Sequence, residues 1–115
     1  MADRRSNVRA VVKLKVDRGE QYLLRVPLFV TANLSRSGMF LITRNPLKEG
    51  TDLDLRFYLP KDKKRIDVTG MVVWAREQGD VANLPPGMGI RFVRINNDDQ
   101  EHIGNFVEEI VRKNY

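Results

Sequence analysis

The stretch TDLDLRFYLP, residues 51–60, decides the fold class because apolar and polar side chains alternate along it. One face collects the apolar residues Leu53, Leu55, Phe57 and Leu59. Successive side chains of a β-strand point to opposite sides, so a period of two is typical of a strand with one buried and one solvated face. The stretch therefore predicts a strand in a sheet that is wet on one side.

Five further segments have the composition of short strands: KLKVD (13–17), the region 21–32, MFLIT (39–43), IDVTGMVVWA (66–75) and GMGIRFV (87–93). The turn signals DRGE, NPLKEG, PKDKK and NLPPG separate the segments. Pro27 predicts an edge position or a bulge, because proline cannot donate to a strand ladder. Six short strands in antiparallel succession predict a small barrel or sandwich.

The C-terminal segment changes to helical periodicity. Its apolar residues are Ile103, Phe106, Val107, Ile110 and Val111. Asn97 with Gln100 offers a capping box, and the basic pair at 112 and 113 suits the negative end of the helix dipole. The pattern predicts an amphipathic helix over residues 97–113. Gly104 costs such a helix about 1 kcal/mol relative to alanine, so we expect the barrel to approach closely at that position.

Composition limits the class of protein. The chain has 115 residues, of which 42% are hydrophobic, and this is enough for one compact core. No apolar run approaches the roughly 20 residues that cross a bilayer, and the charged N-terminus has no apolar signal region. There is no cysteine. We therefore expect a soluble, unexported, cytoplasmic protein without disulfides or membrane insertion.

No set of catalytic groups is visible in the sequence. The motifs GxSxG, HExxH and GxxxxGK[ST] are absent. His102 is the single histidine, and a general base needs partners within hydrogen-bond reach, so we interpret it as a surface or boundary residue. We predict a binding module rather than an enzyme, with no metal site. The net charge of +5 favours an anionic partner.

Two polar motifs flank the predicted strands. RRSNVR (4–9) places Arg5 and Arg9 before the first strand with three residues between them, and NLSRSG (33–38) lies between two later strands. A plain hairpin needs only residues that accept positive φ, so the second motif contains more hydrogen-bonding groups than chain reversal requires. Its surplus of donors and acceptors predicts a binding surface.

Together the two motifs resemble the PilZ domain, a bacterial family described by an RxxxR arm and a [D/N]xSxxG turn on a six-stranded barrel. The resemblance implies a six-stranded antiparallel β-barrel with a C-terminal helix, in which residues 1–9 form a flexible arm and residues 10–115 form the barrel and helix. It also implies a receptor for the second messenger cyclic di-GMP, with no other cofactor. The implied ligand-binding residues are Arg4, Arg5, Arg9, Asn33, Ser35 and Gly38. Signalling would proceed by closure of the arm and altered binding of a downstream protein partner, whose identity the sequence does not give.

Three other interpretations stay open at this point. Asn33 and Ser35 could satisfy their own turn, with Gly38 at positive φ. A basic barrel could instead bind nucleic acid, which we do not expect because most of its aromatic residues fall in core patterns; they are Phe40, Phe57, Tyr58, Trp74 and Phe92. Trp74 is expected in the barrel wall, and KDKKR (61–65) as a solvated hairpin tip. The third interpretation is a protein adaptor without a small ligand.

Overall fold

The computed structural model describes residues 8–18, 29–61 and 63–113, and the strands of this part form one antiparallel sheet that closes on itself. They are β1 (Arg9–Ala10), β2 (Lys15–Arg18), β3 (Phe29–Ser35), β4 (Gly38–Ile42), β5 (Asp52–Leu59), β6 (Lys64–Arg76) and β7 (Gly87–Arg94). The order in the sheet is β1-β3-β2-β5-β6-β7-β4, and β4 also pairs with β3. That last pairing closes β2 to β7 into a barrel, with β1 as an extra strand beside β3.

The predicted six-stranded barrel with a C-terminal helix is confirmed, and β5 shows why the pattern was informative. Its four apolar residues are all buried with at most 2% exposure, while the residues between them face outward. Leu14 and Val16 of the KLKVD segment are buried as well. Burial of these apolar side chains inside the barrel stabilises the closed sheet, since each fully buried large apolar side chain contributes about 1.5–3 kcal/mol.

The C-terminal end of β3 differs from the prediction, which ended this strand at residue 32. β3 runs to Ser35 and pairs with β4 through Ser35 opposite Gly38, so the reversal needs only Arg36 and Ser37. Asn33 and Ser35 are therefore strand residues rather than turn residues. A bulge between Thr31 and Asn33 interrupts the register. Pro27 and the predicted strand start at residue 21 lie outside the described residues.

The helix α1 (Asn97–Lys113) has the predicted bounds, but the predicted cap is wrong by one residue. Asn96 caps it: the backbone N–H of Asp99 donates to Asn96 Oδ1 at 2.7 Å, and that of Gln100 donates to the Asn96 carbonyl at 3.0 Å. Asn97 already lies inside the first turn, so its side chain is one position too late to cap. Ile103 and Val107 are buried against the barrel, and no helix of the described ranges has the length and apolarity needed to cross a bilayer.

The described residues of the hairpin tip between β5 and β6 are mostly exposed, as predicted, and two of its lysines also form ion pairs with α1. Lys61 Nζ lies 2.8 Å from Glu109 Oε1, and Lys64 Nζ lies 3.6 Å from Asp99 Oδ1. Hydrogen bonds from Lys61 and then from Lys113 hold the pKa of Glu109 below its usual value. The basic tip therefore rests on the acidic side of α1, which reduces the charge it presents to a partner.

Candidate ligand-binding site

The two polar motifs meet on the outside of the barrel. Arg9 lies in β1 opposite Ser35 of β3, and Arg9 Nη1 donates a hydrogen bond of 3.0 Å to Asn33 Oδ1. These two residues are 24 positions apart in the chain, so the contact exists only because β1 joins β3. Arg4 and Arg5 lie outside the described residues, and their role stays a prediction. Arg9, the last residue of the predicted arm, is part of the sheet because it pairs with Ser35.

Ser35 organises the turn from inside. Its side chain is fully buried, and its Oγ accepts hydrogen bonds from the backbone N–H of Gly38 at 3.1 Å and of Ser37 at 3.3 Å. The same hydroxyl lies 3.2 Å from the Gly38 carbonyl, to which it can donate. Ser35 thereby satisfies its own turn, which is one of the alternatives left open by the sequence. The side-chain oxygen Oδ1 of Asn33 instead accepts from Arg9.

Gly38 is required by the packing of strands rather than by its dihedral angles. The glycines with positive φ in the described ranges are Gly50 and Gly79, so the expectation of positive φ at Gly38 is wrong. A Cβ at Gly38 would lie 2.1 Å from the carbonyl oxygen of Ile90 on β7, a distance at which the backbone must move. The absence of a side chain lets β4 and β7 pair closely and leaves the turn open to the outside.

A groove of about 430 Å³ opens beside this turn, within the size range of small-molecule sites. The residues that line it include Arg9, Asn33, Ser37, Gly38, Trp74, Gly89 and Arg91. Two cationic side chains, an amide, a hydroxyl and an aromatic face thus surround one concave surface. Such a set suits a planar, anionic ligand.

Trp74 lies in β6 of the barrel wall, as expected, and its exposed side chain lines the groove. The indole is 43% exposed and stacks on Phe40, with ring centroids 5.1 Å apart. The guanidinium of Arg76 lies 5.5 Å from the Trp74 ring and is held by a 2.8 Å hydrogen bond from Nε to the Pro85 carbonyl. A bulge between Val72 and Trp74 shifts the alternation, so that Val73 and Trp74 are both exposed.

The sequence analysis did not assign Trp74 or Arg91 to the ligand-binding site, because the sequence indicates their positions only indirectly. Trp74 is paired with Gly89 across the ladder, and a Cβ at Gly89 would lie 2.1 Å from Trp74 Nε1. A glycine inside the GMGIRFV strand is the available signal, because such a glycine often marks close approach of another group. Arg91 pairs with Gly38, and only the register of β4 against β7 brings it to the turn.

The other aromatics do not form a nucleic-acid platform in the part of the chain that is described. Phe40 and Phe57 are buried, and Phe92 is packed against the core. Tyr58 is half exposed on β5, where its partner across the ladder is Arg65. Outward aromatics in a row beside lysines would have favoured nucleic acid; a single indole beside two arginines does not.

A larger cavity of about 570 Å³ lies over β5 and β6, but it contains none of the motif residues. Both of its carboxylates have polar partners: Arg56 Nε lies 2.7 Å from Asp67 Oδ1, and the Thr69 hydroxyl donates to Asp54 Oδ1 at 2.9 Å. Burial raises the pKa of Asp67, yet the hydrogen bonds and charges of Arg56 and Arg65 outweigh burial and hold it below its usual value. The pairing supports a structural role for this surface. The described residues contain no cluster of three or more acidic or histidine side chains suited to a metal ion.

The fold has counterparts in known proteins. The sequence profile of the PilZ domain matches residues 2–109. The chain belongs to the PilZ domain family. Among solved structures, the PilZ domain of YcgR from Escherichia coli with c-di-GMP has a TM-score of 0.67 at 14% identity, over 97% of this chain and 95% of that one. The Bacillus subtilis inhibitor of motility MotI/DgrA has a TM-score of 0.73 at 19% identity and covers 98% of this chain.

This PilZ domain spans only part of some relatives. It covers 52% of the Bacillus protein and 47% of a tetrameric PilZ protein from Xanthomonas campestris, which has a TM-score of 0.56 at 15% identity over 75% of this chain. No curated protein sequence matches it significantly. At these identities the likeness establishes the fold, and the ligand must be argued from the groove itself.

Proposed function

We propose that this PilZ domain is a receptor for cyclic di-GMP, which binds in the groove between β1, the β3–β4 turn and Trp74. The contact between Arg9 and Asn33 carries the proposal, because it joins one residue of each polar motif at the edge of a groove. The family and the c-di-GMP present in the YcgR structures support the choice of ligand.

The chemistry of the groove suits a cyclic dinucleotide of guanine. An arginine fork matches the O6 and N7 acceptors of guanine or two oxygens of a phosphate, and both Arg9 and Arg91 line the groove. The exposed face of Trp74 offers a stacking surface for one base, an interaction worth about 1–3 kcal/mol. The amide N–H groups of Asn33 are available as donors to guanine, since its contact with Arg9 uses the carbonyl oxygen.

Ser35 and Gly38 act indirectly in this proposal. Ser35 is buried and fixes the backbone of Ser37 and Gly38. Ser37 and Gly38 then line the groove, where the missing Cβ of Gly38 lets the ligand approach the backbone. In this proposal Ser35 shapes the turn, whereas Ser37 and Gly38 contact the ligand.

Titration calorimetry with cyclic di-GMP tests the proposal, with GTP and cyclic di-AMP as comparison ligands. We expect saturable binding of cyclic di-GMP and much weaker binding of cyclic di-AMP, because adenine presents N6–H₂ where guanine presents the O6 acceptor. Absence of cyclic di-GMP binding would overturn the proposal. The same titration measures whether one molecule or a stacked pair binds.

A matched pair of arginines on β7 locates the site. Arg91 lines the groove, whereas Arg94 lines the larger cavity over β5 and β6. We expect Arg91→Ala to weaken cyclic di-GMP binding about tenfold and Arg94→Ala to change it less than twofold, since a charge-assisted hydrogen bond contributes roughly 1.5–3 kcal/mol. Equal losses would indicate diffuse attraction by the net positive charge instead of this groove.

Arm closure is the proposed route from binding to signal. Arg4 and Arg5 would fold over the ligand, because the phosphates neutralise their mutual repulsion. Amide exchange should then show increased protection in residues 3–10 and 33–40 on addition of cyclic di-GMP. Deleting residues 1–7 leaves β1 intact and should weaken binding. Unchanged affinity after that deletion would reject the clamp.

A further inference from the structure

Arg36 belongs to the NLSRSG segment, yet it is not among the residues that line the groove. Its side chain leaves the β3–β4 turn in the direction of α1, where Nη2 donates to Glu101 Oε1. The aliphatic part crosses Gly104: a Cβ at that glycine would come within 3.4 Å of Arg36 Cδ. The predicted close approach at Gly104 is therefore made by a side chain from the ligand-binding turn.

Burial gives this ion pair a structural consequence. The Arg36 side chain is only 16% exposed, whereas Glu101 is 45% exposed. A guanidinium that has lost most of its water is stabilised by its carboxylate partner, and removing that partner weakens the compensation for its lost hydration. Loss of Glu101 should therefore make Arg36 move toward water, and its turn would move with it.

The backbone around Arg36 is the part of the turn that shapes the groove. Ser35, the preceding residue, accepts hydrogen bonds from the N–H groups of Ser37 and Gly38. The carbonyl of Ser37 accepts a 2.8 Å hydrogen bond from the N–H of Phe92 on β7. A shift of Arg36 thus acts directly on the two residues of the turn that face the ligand.

We infer that Arg36 is a positioning residue whose ion pair with Glu101 couples the groove to α1. The inference rests on the proposed function and names how that site is regulated. Helix packing holds the turn in the geometry that binds, and by thermodynamic reciprocity the bound ligand holds α1 against the barrel. The helix is then a second route by which occupancy of the groove reaches the surface.

Three single variants and one double variant test the coupling by calorimetry with cyclic di-GMP. Glu101→Gln keeps the shape and removes the charge, and Arg36→Met keeps the stem across Gly104. Glu109→Gln is the matched control, because Glu109 lies on the same helix and pairs with Lys61 and Lys113. We expect about fivefold weaker binding for the first two, at the low end of typical coupling because Glu101 is partly exposed, and less than twofold for the control.

The double variant Arg36→Met with Glu101→Gln separates a pair from two independent residues. If the two act through one contact, the double variant binds no more weakly than the weaker single variant. Additive losses would overturn the inference. Circular dichroism of the free proteins shows whether each variant folds. If Arg36→Met does not fold, the comparison of cyclic di-GMP affinity between Glu101→Gln and Glu109→Gln still tests the inference.

Amide exchange supplies a measurement that a purely structural role would not change. On addition of cyclic di-GMP, residues 99–106 of α1 should gain protection in the unaltered chain and in Glu109→Gln, and should gain little in Glu101→Gln. Equal gains in all three would overturn the inference while leaving the receptor proposal intact. Failure of the unaltered chain to bind cyclic di-GMP would instead overturn the receptor proposal, and the inference with it.

Discussion

Replacing Gly89 by alanine should displace the Trp74 indole from the groove and leave the pairing of the barrel strands intact. An added Cβ would lie 2.1 Å from Nε1 and 2.5 Å from Cε2 of Trp74, so one group must move. The Gly89 backbone is fixed by ladders to β4 and β6, whereas the indole is 43% exposed. The indole therefore leaves, and its contacts with Phe40 and Arg76 are lost.

The cost in stability follows from the contacts of Trp74. Stacking on Phe40 at 5.1 Å contributes about 0.5–1.5 kcal/mol, and the exposed cation–π contact with Arg76 about 0.5–1 kcal/mol. Alanine in a strand regains roughly 0.5–1 kcal/mol relative to glycine. The net loss is about 1 kcal/mol, or roughly 4 °C in the melting temperature of a chain of this size. Ligand affinity should fall further, by about 5- to 150-fold, if one guanine loses its stacking surface.

Fluorescence measures this displacement directly, because Trp74 is the single tryptophan of the chain. The emission of Gly89→Ala should shift to longer wavelength as the indole enters water, and the change caused by cyclic di-GMP in the unaltered protein should be absent. Trp74→Ala provides the comparison for affinity, since both variants lose the same surface. An unshifted emission spectrum together with unchanged affinity would refute both the position of Trp74 and its stacking role.

Two further predictions concern charged residues. Arg9→Ala should weaken cyclic di-GMP binding about tenfold and Lys64→Ala less than twofold, because a charge-assisted contact in the groove is worth roughly 1.5–3 kcal/mol whereas Lys64 faces Asp98 and Asp99; calorimetry that finds equal losses would contradict the site. Asp67 has a folded-state pKa below its usual 3.8, so its contribution to stability is present above that value and is lost as the pH falls through the lower, folded-state pKa. Asp67→Asn should therefore lower the melting temperature slightly at pH 7 and make the decline below pH 4 shallower, and parallel melting curves from pH 7 to pH 2 would count against this pairing.

The fold was predictable where the sequence repeats a simple period. The strict alternation of residues 52–59 and the helical spacing after residue 102 identified β5 and α1 with their faces. Strand ends were less predictable, because Ser35 and Gly38 are polar or small residues that pair across a two-residue turn. The helix cap was missed by one position because Asn96 and Asn97 are adjacent and chemically identical, and only the backbone path distinguishes them.

The candidate site was only partly predictable, because most of it is made by pairing between distant strands. The motifs indicated Arg9 and Asn33, and the sheet brings them within a hydrogen bond. Trp74 and Arg91 reach the groove through a bulge in β6 and through the register of β7, and neither feature has a local sequence signal strong enough to place a side chain. The hydrogen bonds of Ser35 to its own turn could not be predicted from the sequence, because a hydroxyl can bind either a ligand or the backbone.

The closed barrel restricts how binding could become a signal. Every strand from β2 to β7 pairs with neighbours on both sides, so a local shift in one strand breaks ladders elsewhere, and such a sheet resists small displacements. In the described part of the chain, β1 and α1 lie outside this closed ring. Both meet β3, and they also pack against each other. In the proposed mechanism, arm closure and the Arg36–Glu101 contact act together, because a ligand that ordered the arm would also hold the helix against β1. A variant that loosens the helix, such as Glu101→Gln, should then reduce ligand-induced protection in residues 8–10 as well as in α1, whereas an arm that closes independently would keep its protection in that variant.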